Sequence, residues 1–295
     1  MKITETKATL IGSTAILLWG ALALFTTWTG KIPPFQLVAM TFSIAFLLAL
    51  IKWLVKGESL TTHLKQSWGV WTTGVCGLFG YHFFYFMALK NAPAVEASLI
   101  AYMWPLLIVL FSALLPNEKL GLHHIAGTLL GLFGCVLLVT DGGNITFNES
   151  YMLGYMAAIA CALTWSGYSV FSRKFGKVPT DVVGWFCGAT AILGLICHLI
   201  FEQTFIPDAL GVWLAVLALG LGPVGLAFFT WDVGMKRGNI KALGAFSYAA
   251  PLLSALLLVI FGDTAPSWIL LFACIAIVSG ALLAAKDIIF IKVKV

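Results

Sequence analysis

Charged side chains are scarce in this sequence. Only 10% of its 295 residues are Asp, Glu, Lys or Arg, whereas 61% are hydrophobic and the mean hydropathy is +1.01. Soluble domains carry about 25% charged residues, so the composition excludes an ordinary soluble globular domain. The segments between the apolar stretches are also too short, at about a dozen residues or fewer, to hold a separate catalytic domain.

Metal-binding and catalytic motifs are missing as well. The six cysteines all lie within apolar stretches and share no metal-ligand spacing, and we expect them to be small buried hydrophobic residues. We assign His123 and His124 to a solvated loop rather than to a metal site. An intramembrane enzyme would need paired carboxylates, a His-Glu-x-x-His motif or a Ser/His pair at depth. None occurs, so we predict no catalytic residue, no metal, no cofactor and no enzymatic activity.

The sequence is rich in apolar stretches of membrane-spanning length. A helix of about 20 apolar residues spans the hydrocarbon core of a bilayer. Ten stretches of that length occur, and we predict that each forms a transmembrane helix, which makes the chain an all-α membrane protein. Their approximate bounds are 8–28, 35–55, 68–89, 95–115, 121–140, 151–171, 181–201, 211–235, 241–261 and 267–289.

The placement of the basic residues predicts the orientation in the membrane. With the N-terminus inside, all Lys and Arg residues except Lys31 and Lys90 lie in inner segments, including the terminal Lys2, Lys292 and Lys294. Membrane proteins carry an excess of basic residues on the cytoplasmic side. An even number of spans then places both termini in the cytoplasm. The net charge of +5 therefore reflects topology, and we expect no nucleic-acid partner.

An internal repeat relates the two halves of the chain at an offset of 146 residues. Scarce residue types coincide at this offset; the coincident pairs include Trp19 with Trp165, Lys31 with Lys177, Pro33 with Pro179, Lys90 with Lys236, Tyr102 with Tyr248 and Pro105 with Pro251. We predict two five-helix repeats, residues 1–146 and 147–295. Because five is an odd number, the second repeat has the opposite orientation in the membrane. Inverted repeats of this kind are typical of transporters.

Prolines interrupt apolar stretches at matching positions of the two repeats. A proline within a helix removes one amide donor and displaces the carbonyl four residues earlier, which for Pro105 and Pro251 are the carbonyls of Ala101 and Ser247. Within a membrane, a freed carbonyl is tolerated where it lines a cavity. We therefore predict helix breaks at Pro105, at Pro251 and, in the glycine-rich eighth stretch, at Pro223, all of them around a central cavity.

The third apolar stretch carries polar aromatic residues that need partners. The polar atoms of Tyr81, His82 and Tyr85 cannot remain unpaired in a dry environment, and residues 81 and 85 share one face of a helix. A cavity wall would satisfy them. His82 is also the one titratable group predicted near the middle of the membrane.

The residues around the two breaks resemble a known family. The segment 96–105, Glu-Ala-Ser-Leu-Ile-Ala-Tyr-Met-Trp-Pro, together with Gly238-Asn239 and with Ser-Tyr-Ala-Ala-Pro at 247–251, resembles the aromatic amino acid exporters among the bacterial EamA-type members of the drug/metabolite transporter superfamily. The resemblance covers essentially the whole chain. It implies a ten-helix protein of the bacterial inner membrane that exports aromatic and other neutral amino acids from a central cavity by alternating access. Trp19 and Trp104 correspond to tryptophans of that family.

A zwitterionic amino acid suits such a cavity. Its ammonium would meet the two freed carbonyls and the faces of the tryptophans, and its carboxylate would accept hydrogen bonds from the imidazole and the tyrosine hydroxyls. The expected substrate-binding residues are Trp19, Tyr81, His82, Tyr85, Tyr102, Trp104, Trp165 and Tyr248. No Asp, Glu, Lys or Arg lies near the centre of a predicted helix, which disfavours a strongly charged solute.

Two alternatives to amino acid export stay open from the sequence. The cavity could instead accept another neutral or lipophilic metabolite or drug. The less favoured hypothesis is an intramembrane enzyme. We expect the partners to be the small-molecule substrate and the lipid bilayer, and the functional unit to be a monomer.

Overall fold

The computed structural model describes residues 3–116, 118–145, 147–261 and 267–289, and these residues form helices and no β-strand. The described residues contain ten long helices. In chain order they are α1 (Glu5–Trp28), α2 (Pro34–Val55), α3 (68–91), α4 (Ala94–Ser112), α5 (Leu122–Thr140), α6 (Met152–Ser172), α7 (Val182–Phe201), α8 (Leu210–Arg237), α9 (Ile240–Phe261) and α10 (Trp268–Ala284). Lys2, Lys292 and Lys294, which contribute to the orientation prediction, lie outside the described residues.

Seven of the helices in the described part of the chain are long and apolar enough to cross a membrane, namely α1, α2, α4, α5, α7, α8 and α9. Helix α10 is apolar but shorter, and α3 and α6 carry more hydroxyl and aromatic polar groups. The chain is therefore an all-α membrane protein, and its helices follow the ten apolar stretches closely. That all ten helices cross the membrane, in two opposed sets of five, stays a prediction.

Local irregularities recur at the offset of the predicted repeat. The helical hydrogen-bond pattern widens to a π turn at Cys76–Gly80 in α3 and again at Gly222–Leu226 in α8, 146 positions later. In addition, α4 breaks at residues 102–103 and α9 breaks at residues 247–248, within one residue of the same offset. π turns are rare and occur frequently at functional sites. Both halves thus share the same local distortions.

Helix pairing follows the same symmetry. Helix α1 packs on α8 as α6 packs on α3, and α1 packs on α9 as α6 packs on α4, while α2 pairs with α7 and α5 pairs with α10. Two backbones come close at Gly127 of α5 and Gly280 of α10, where an added Cβ at either would lie 2.5 or 2.4 Å from the other's carbonyl oxygen. Small residues permit such close packing in membranes.

The prolines lie just beyond the two breaks and need no hydrogen bond there. Pro105 is in the first turn of the second part of α4, where a missing amide donor is tolerated, and Pro251 lies in the first turn after the break in α9. The Ser247 carbonyl is not free, because it accepts the Ala250 N–H at 3.1 Å. The predicted positions of the breaks are correct, but the predicted freed carbonyl at Ser247 is wrong.

The assignment of His123 and His124 to a solvated loop is also wrong. Both residues lie in the first turn of α5, and His124 is buried. Together with Asp287 they form a group whose ligand-type atoms lie within 4.8 Å of one another. The Nδ1 atom of His124 accepts the Gly121 N–H at 3.0 Å, so the proton of the neutral ring is on Nε2, toward Asp287. This arrangement is a hydrogen-bonded helix cap, since a metal on Nε2 would displace that proton.

Candidate functional site

The helices enclose a cavity of about 540 Å³. Its wall comes from α1, α2, α3, α4, α6, α8 and α9. The cavity reaches the surface between the exposed residues Leu22, Thr26, Gly30 and Pro34, at the connection between α1 and α2. We call this the mouth end. A volume of this size is typical of small-molecule sites.

Four tryptophans from four helices form the floor of the cavity; Trp19, Trp104 and Trp165 line it, and Trp231 packs against these three. The ring centroids of Trp19, Trp104, Trp165 and Trp231 lie 5.0–6.3 Å apart in all six pairs, four of which are edge-to-face. Edge-to-face contacts are favoured because the positive ring edge meets the negative ring face. Trp231 is fully buried, and Trp104 and Trp165 are only 5% and 3% exposed. The floor is therefore a packed aromatic layer.

The four indole nitrogens differ in their hydrogen bonds. Trp19 Nε1 donates to the carbonyl of Pro223 in the α8 π turn at 3.0 Å, and Trp231 Nε1 donates to Ser169 Oγ at 3.0 Å. Within the described residues, the indoles of Trp104 and Trp165 make no hydrogen bond, and both line the cavity. Their two N–H groups are therefore available to a solute.

The wall above the floor carries one imidazole and three phenols. Tyr81, His82 and Tyr85 come from α3, and Tyr102 comes from the break in α4. His82 Nδ1 lies 2.7 Å from the Leu78 carbonyl oxygen. Because a carbonyl only accepts, Nδ1 carries the proton, and Nε2 of the neutral ring is an acceptor. This corrects the prediction that His82 donates to a carboxylate.

Small hydroxyl groups of the wall use their own protons on the backbone. Thr26 and Thr41 donate to the carbonyls four residues earlier in their own helices, at 2.7 and 2.8 Å. Ser254 donates to the Gly20 carbonyl of α1 at 2.8 Å. These oxygens therefore present lone pairs to the cavity. Among the residues that the structure describes, no Asp, Glu, Lys or Arg lines the cavity.

Seven of the eight predicted substrate-binding residues line the cavity, and Pro223 lines it too. Tyr248 does not. It is fully buried and packs with Cys135, Leu252 and Ile277 on the side of α9 that faces α5 and α10. Pro105 and Pro251 are buried outside the wall, and neither Ala101 nor Ser247 is part of it.

A cluster of charges closes the end opposite the mouth, and we call this the charged end. Glu118, between α4 and α5, lies 3.2 Å from Arg173 Nη2 and 2.8 Å from Lys241 Nζ. Arg173 Nη1 also donates to the carbonyls of Met235 and Gly238 at 3.1 and 2.7 Å. These bonds connect the end of α6, the end of α8 and the start of α9.

A second group at the charged end is more deeply buried. Asp232 and Lys236 of α8 pair at 2.9 Å, with side chains only 2% and 5% exposed. The Thr180 hydroxyl donates to Asp232 at 2.7 Å, and Lys236 donates to the Val178 carbonyl at 3.1 Å. Since breaking one partner of a buried pair is costly, this group fixes α8 to the α6–α7 connection.

A third contact joins α2 to α7 at the same end. Asp181 forms an ion pair with Lys52, and Trp53 Nε1 donates to its carboxylate at 3.3 Å. Partial burial alone would raise the pKa of Asp181, but the Lys52 ammonium and the Trp53 indole outweigh it and hold this pKa below its ordinary value. The charged end is thus held by ion pairs on several helices.

Sequence reasoning missed four aromatic residues of the site, namely Phe42, Phe86, Phe228 and Trp231. Trp231 completes the floor, and Phe42 stacks on Phe228 at 5.5 Å in the wall. The repeat offset contained a signal for two of them, because it places Trp231 opposite Tyr85 and Phe228 opposite His82. Phe42 carries no comparable signal, since it is one of many phenylalanines in apolar stretches.

A family model matches this chain twice. The model of the EamA-like transporter family covers residues 6–140 and again residues 152–286. The chain belongs to the EamA-like transporter family. The two matches are 146 residues apart, which is the offset of the internal repeat and of the two π turns. The family predicted from the sequence is confirmed.

Relatives of this family member are named exporters. The chain is 56% identical over 283 residues to an aromatic amino acid exporter, YddG, of Ancylobacter novellus, covering 96% of this chain and 98% of that protein. It is 26% identical to the exporter of the same name from Escherichia coli, over 86% of this chain. A related crystal structure superposes with a TM-score of 0.91 at 55% identity, over 96% of this chain and 99% of that one. The chain is a multi-pass exporter of the bacterial inner membrane.

Proposed function

We propose that this exporter carries amino acids with aromatic and other neutral side chains through the cavity by alternating access. The observation that carries the proposal is the distribution of polar groups in a wall without fixed charge. Free N–H and O–H donors occur together with an imidazole acceptor and aromatic faces, as a zwitterion requires. The names of the similar exporters support the same substrate class.

The carboxylate of the solute has donors at the floor. The indole N–H groups of Trp104 and Trp165 lie in one aromatic layer, with ring centroids 6.2 Å apart, and Tyr81 is 5.4 Å from Trp165 between ring centroids. A hydrogen bond to a charged group contributes about 1.5–3 kcal/mol. Two or three such bonds fix the carboxylate without a basic residue.

The ammonium and the side chain of the solute have partners in the wall. His82 Nε2 accepts a hydrogen bond, and the parallel rings of Tyr81 and Tyr85 offer π faces. The stacked rings of Phe42 and Phe228 form an apolar platform for an aromatic side chain. A lipophilic drug would leave the free donors unpaired, which disfavours it.

Alternating access rests on the symmetry of the two halves. Residues 1–146 and 147–295 are the two inverted repeats, and the mouth end faces the periplasm while both termini lie in the cytoplasm. In this orientation the structure is open to the outside and closed inside by the tryptophan floor and the charged end. The cavity lies within one chain, so a monomer is sufficient for transport.

The substrate's own concentration gradient drives the flux. A net-neutral zwitterion carried alone gains nothing from the membrane potential, which acts at about 2.3 kcal/mol per elementary charge per 100 mV. His82 is the one histidine in the wall, and its proton is engaged with Leu78. An imposed proton gradient should therefore have at most a modest effect, acting through His82.

Counterflow in proteoliposomes tests the proposal. Vesicles loaded with unlabelled phenylalanine should accumulate labelled phenylalanine, and tryptophan or threonine should compete, whereas nucleosides should not. Protein-free vesicles are the control. Exchange of a lipophilic drug or a nucleoside, with no amino acid exchange, would support the alternative substrate class. Concentrative uptake under a proton gradient that survives in His82→Gln would contradict the gradient-driven flux.

A further inference from the structure

Two equivalent tryptophans are bonded differently. Trp19 and Trp165 are 146 positions apart, and so are Pro223 and Gly77, which lie within the two π turns. Trp19 Nε1 donates to the Pro223 carbonyl at 3.0 Å. Within the described residues, Trp165 Nε1 makes no hydrogen bond to Gly77 or to any other acceptor. The local symmetry of the repeats is therefore broken at this bond.

The backbone amides at the ends of the two π turns also differ in the carbonyls to which they donate. In α8, the Ala227 N–H points to the carbonyls of Gly222 and Gly225, and the Pro223 carbonyl accepts the indole N–H of Trp19. In α3, the equivalent amide of Tyr81 donates to Gly77 itself. The Pro223 carbonyl accepts an indole N–H in the second half, whereas the equivalent Gly77 carbonyl accepts a backbone N–H in the first half. A carbonyl oxygen has two lone pairs, so the amide does not exclude an indole; what differs between the halves is the donor that each carbonyl takes in this structure.

We propose that these two carbonyls exchange donors in the transport cycle, so that Trp19 and Trp165 form a reciprocal switch; this rests on the alternating access proposed above. In inverted repeats, the two access states are related by exchanging the conformations of the halves. When the charged end opens, Trp165 donates to Gly77, and the Tyr81 amide moves to Cys76. At the same time Trp19 leaves Pro223, which then accepts the Ala227 amide.

A π turn is suited to this exchange. It contains one residue more than an α-helical turn, so a helix passes from one pattern to the other by moving a single hydrogen bond. Gly77 has no side chain to obstruct the movement; an added Cβ would lie 2.4 Å from the Tyr168 ring. Neither position of the amide leaves that amide unpaired.

The switch also explains how the solute is released. In the mouth-open state, the indole of Trp165 is free, and it is one of the donors assigned above to the solute carboxylate. When Gly77 takes that N–H, the carboxylate loses a hydrogen bond. The protein carbonyl and the solute thus compete for one donor, and completing the conformational change weakens binding.

Cysteine labelling in purified protein measures the switch without any transport assay. The six native cysteines are replaced by alanine, and one probe is placed at each end. Thr26→Cys is exposed at the mouth, and Ser172→Cys is buried beside the charged end. The labelling rate of each probe with a polar thiol reagent follows the fraction of molecules open at that end.

Removing either indole N–H should shift the equilibrium in opposite directions. Trp19→Phe should slow labelling at Thr26→Cys and accelerate it at Ser172→Cys, by about two- to tenfold, as expected for one lost hydrogen bond. Trp165→Phe should slow labelling at Ser172→Cys. The exposed Trp28 of α1 supplies the matched control, and Trp28→Phe should change neither rate. Where Phe impairs folding, β-(3-benzothienyl)alanine keeps the ring shape and removes only the N–H.

The outcomes separate this switch from the substrate proposal. Opposite shifts establish the switch even if no amino acid is exchanged in proteoliposomes. Amino acid exchange combined with parallel shifts, or with no shift, overturns the switch and leaves the substrate proposal intact. A Trp19 analogue without N–H that behaves like the native residue in both probes also overturns it.

Discussion

At the scale of single residues, the nitrogen and the ring of a tryptophan have separate roles in this cavity. The ring of Trp104 belongs to the packed floor, where it contacts Trp19, Trp165 and Trp231. Its N–H makes no bond within the described residues, and the residue lines the cavity. A substitution that removes the whole side chain would therefore affect both folding and substrate binding. One that keeps an aromatic ring tests the contribution of the N–H to binding.

We expect Trp104→Phe to weaken substrate binding while the protein folds normally. Losing one hydrogen bond to a carboxylate costs about 1.5–3 kcal/mol, so the half-saturating phenylalanine concentration should rise about 10- to 100-fold. Trp28→Phe should leave it unchanged. An unaltered half-saturation in Trp104→Phe, measured by counterflow at several concentrations, would remove this N–H from the carboxylate site.

At the residue scale, the sequence predicted most of the cavity wall but not all of its features. The pattern identified seven of the eight proposed wall residues, because polar aromatics in an apolar stretch need a cavity. It placed Tyr248 there by symmetry with Tyr102, yet the two tyrosines lie in different surroundings. The proton on His82 Nδ1 follows from the position of the Leu78 carbonyl, which only the three-dimensional structure supplies.

At the scale of helices, the α5–α10 pair is a rigid frame beside the cavity. Neither helix contributes to the cavity wall, and their backbones touch at Gly127 and Gly280. The apolar stretches predicted both helices from the sequence. They did not identify the partner of Gly127, because a glycine in an apolar helix can pack against any close neighbour.

We expect Gly127→Ala to destabilise the protein without altering the site. Its Cβ would lie 2.5 Å from the Gly280 carbonyl oxygen, and overpacking of this kind costs about 1–3 kcal/mol. The temperature of half-unfolding in detergent should fall by several degrees. Gly211→Ala in α8 is the control, since nothing lies within 4 Å of its added Cβ. Equal thermal stability of the two variants would contradict the close contact.

At the scale of the whole molecule, the two ends differ in their charged residues. The charged end uses Glu118, Arg173 and Lys241, whereas the repeat places Thr27 opposite Arg173 and Val95 opposite Lys241 at the mouth end. The repeat therefore places no basic residue at these two positions of the mouth end. In the alternating access proposed above, this difference favours the shape that is open at the mouth.

We expect Glu118→Gln to shift the molecule toward the shape that is open at the charged end. The carboxylate is 17% exposed and holds two cations, so its neutralisation should cost on the order of 1–2 kcal/mol. Labelling at Thr26→Cys should slow, and labelling at Ser172→Cys should accelerate. Glu58→Gln, which removes a charge from the α2–α3 connection, is the matched control. Faster labelling at the mouth in Glu118→Gln would mean that this cluster does not close the charged end.

The tryptophan floor has an optical consequence. Four of the eleven tryptophans of the chain hold their rings 5.0–6.3 Å apart between centroids, close enough for their excited states to couple. Coupled indoles give paired bands of opposite sign in far-ultraviolet circular dichroism, and the bands fade when the rings separate. If the charged end opens as proposed above, the rings should separate, and we expect the protein to report that change in solution without any attached label.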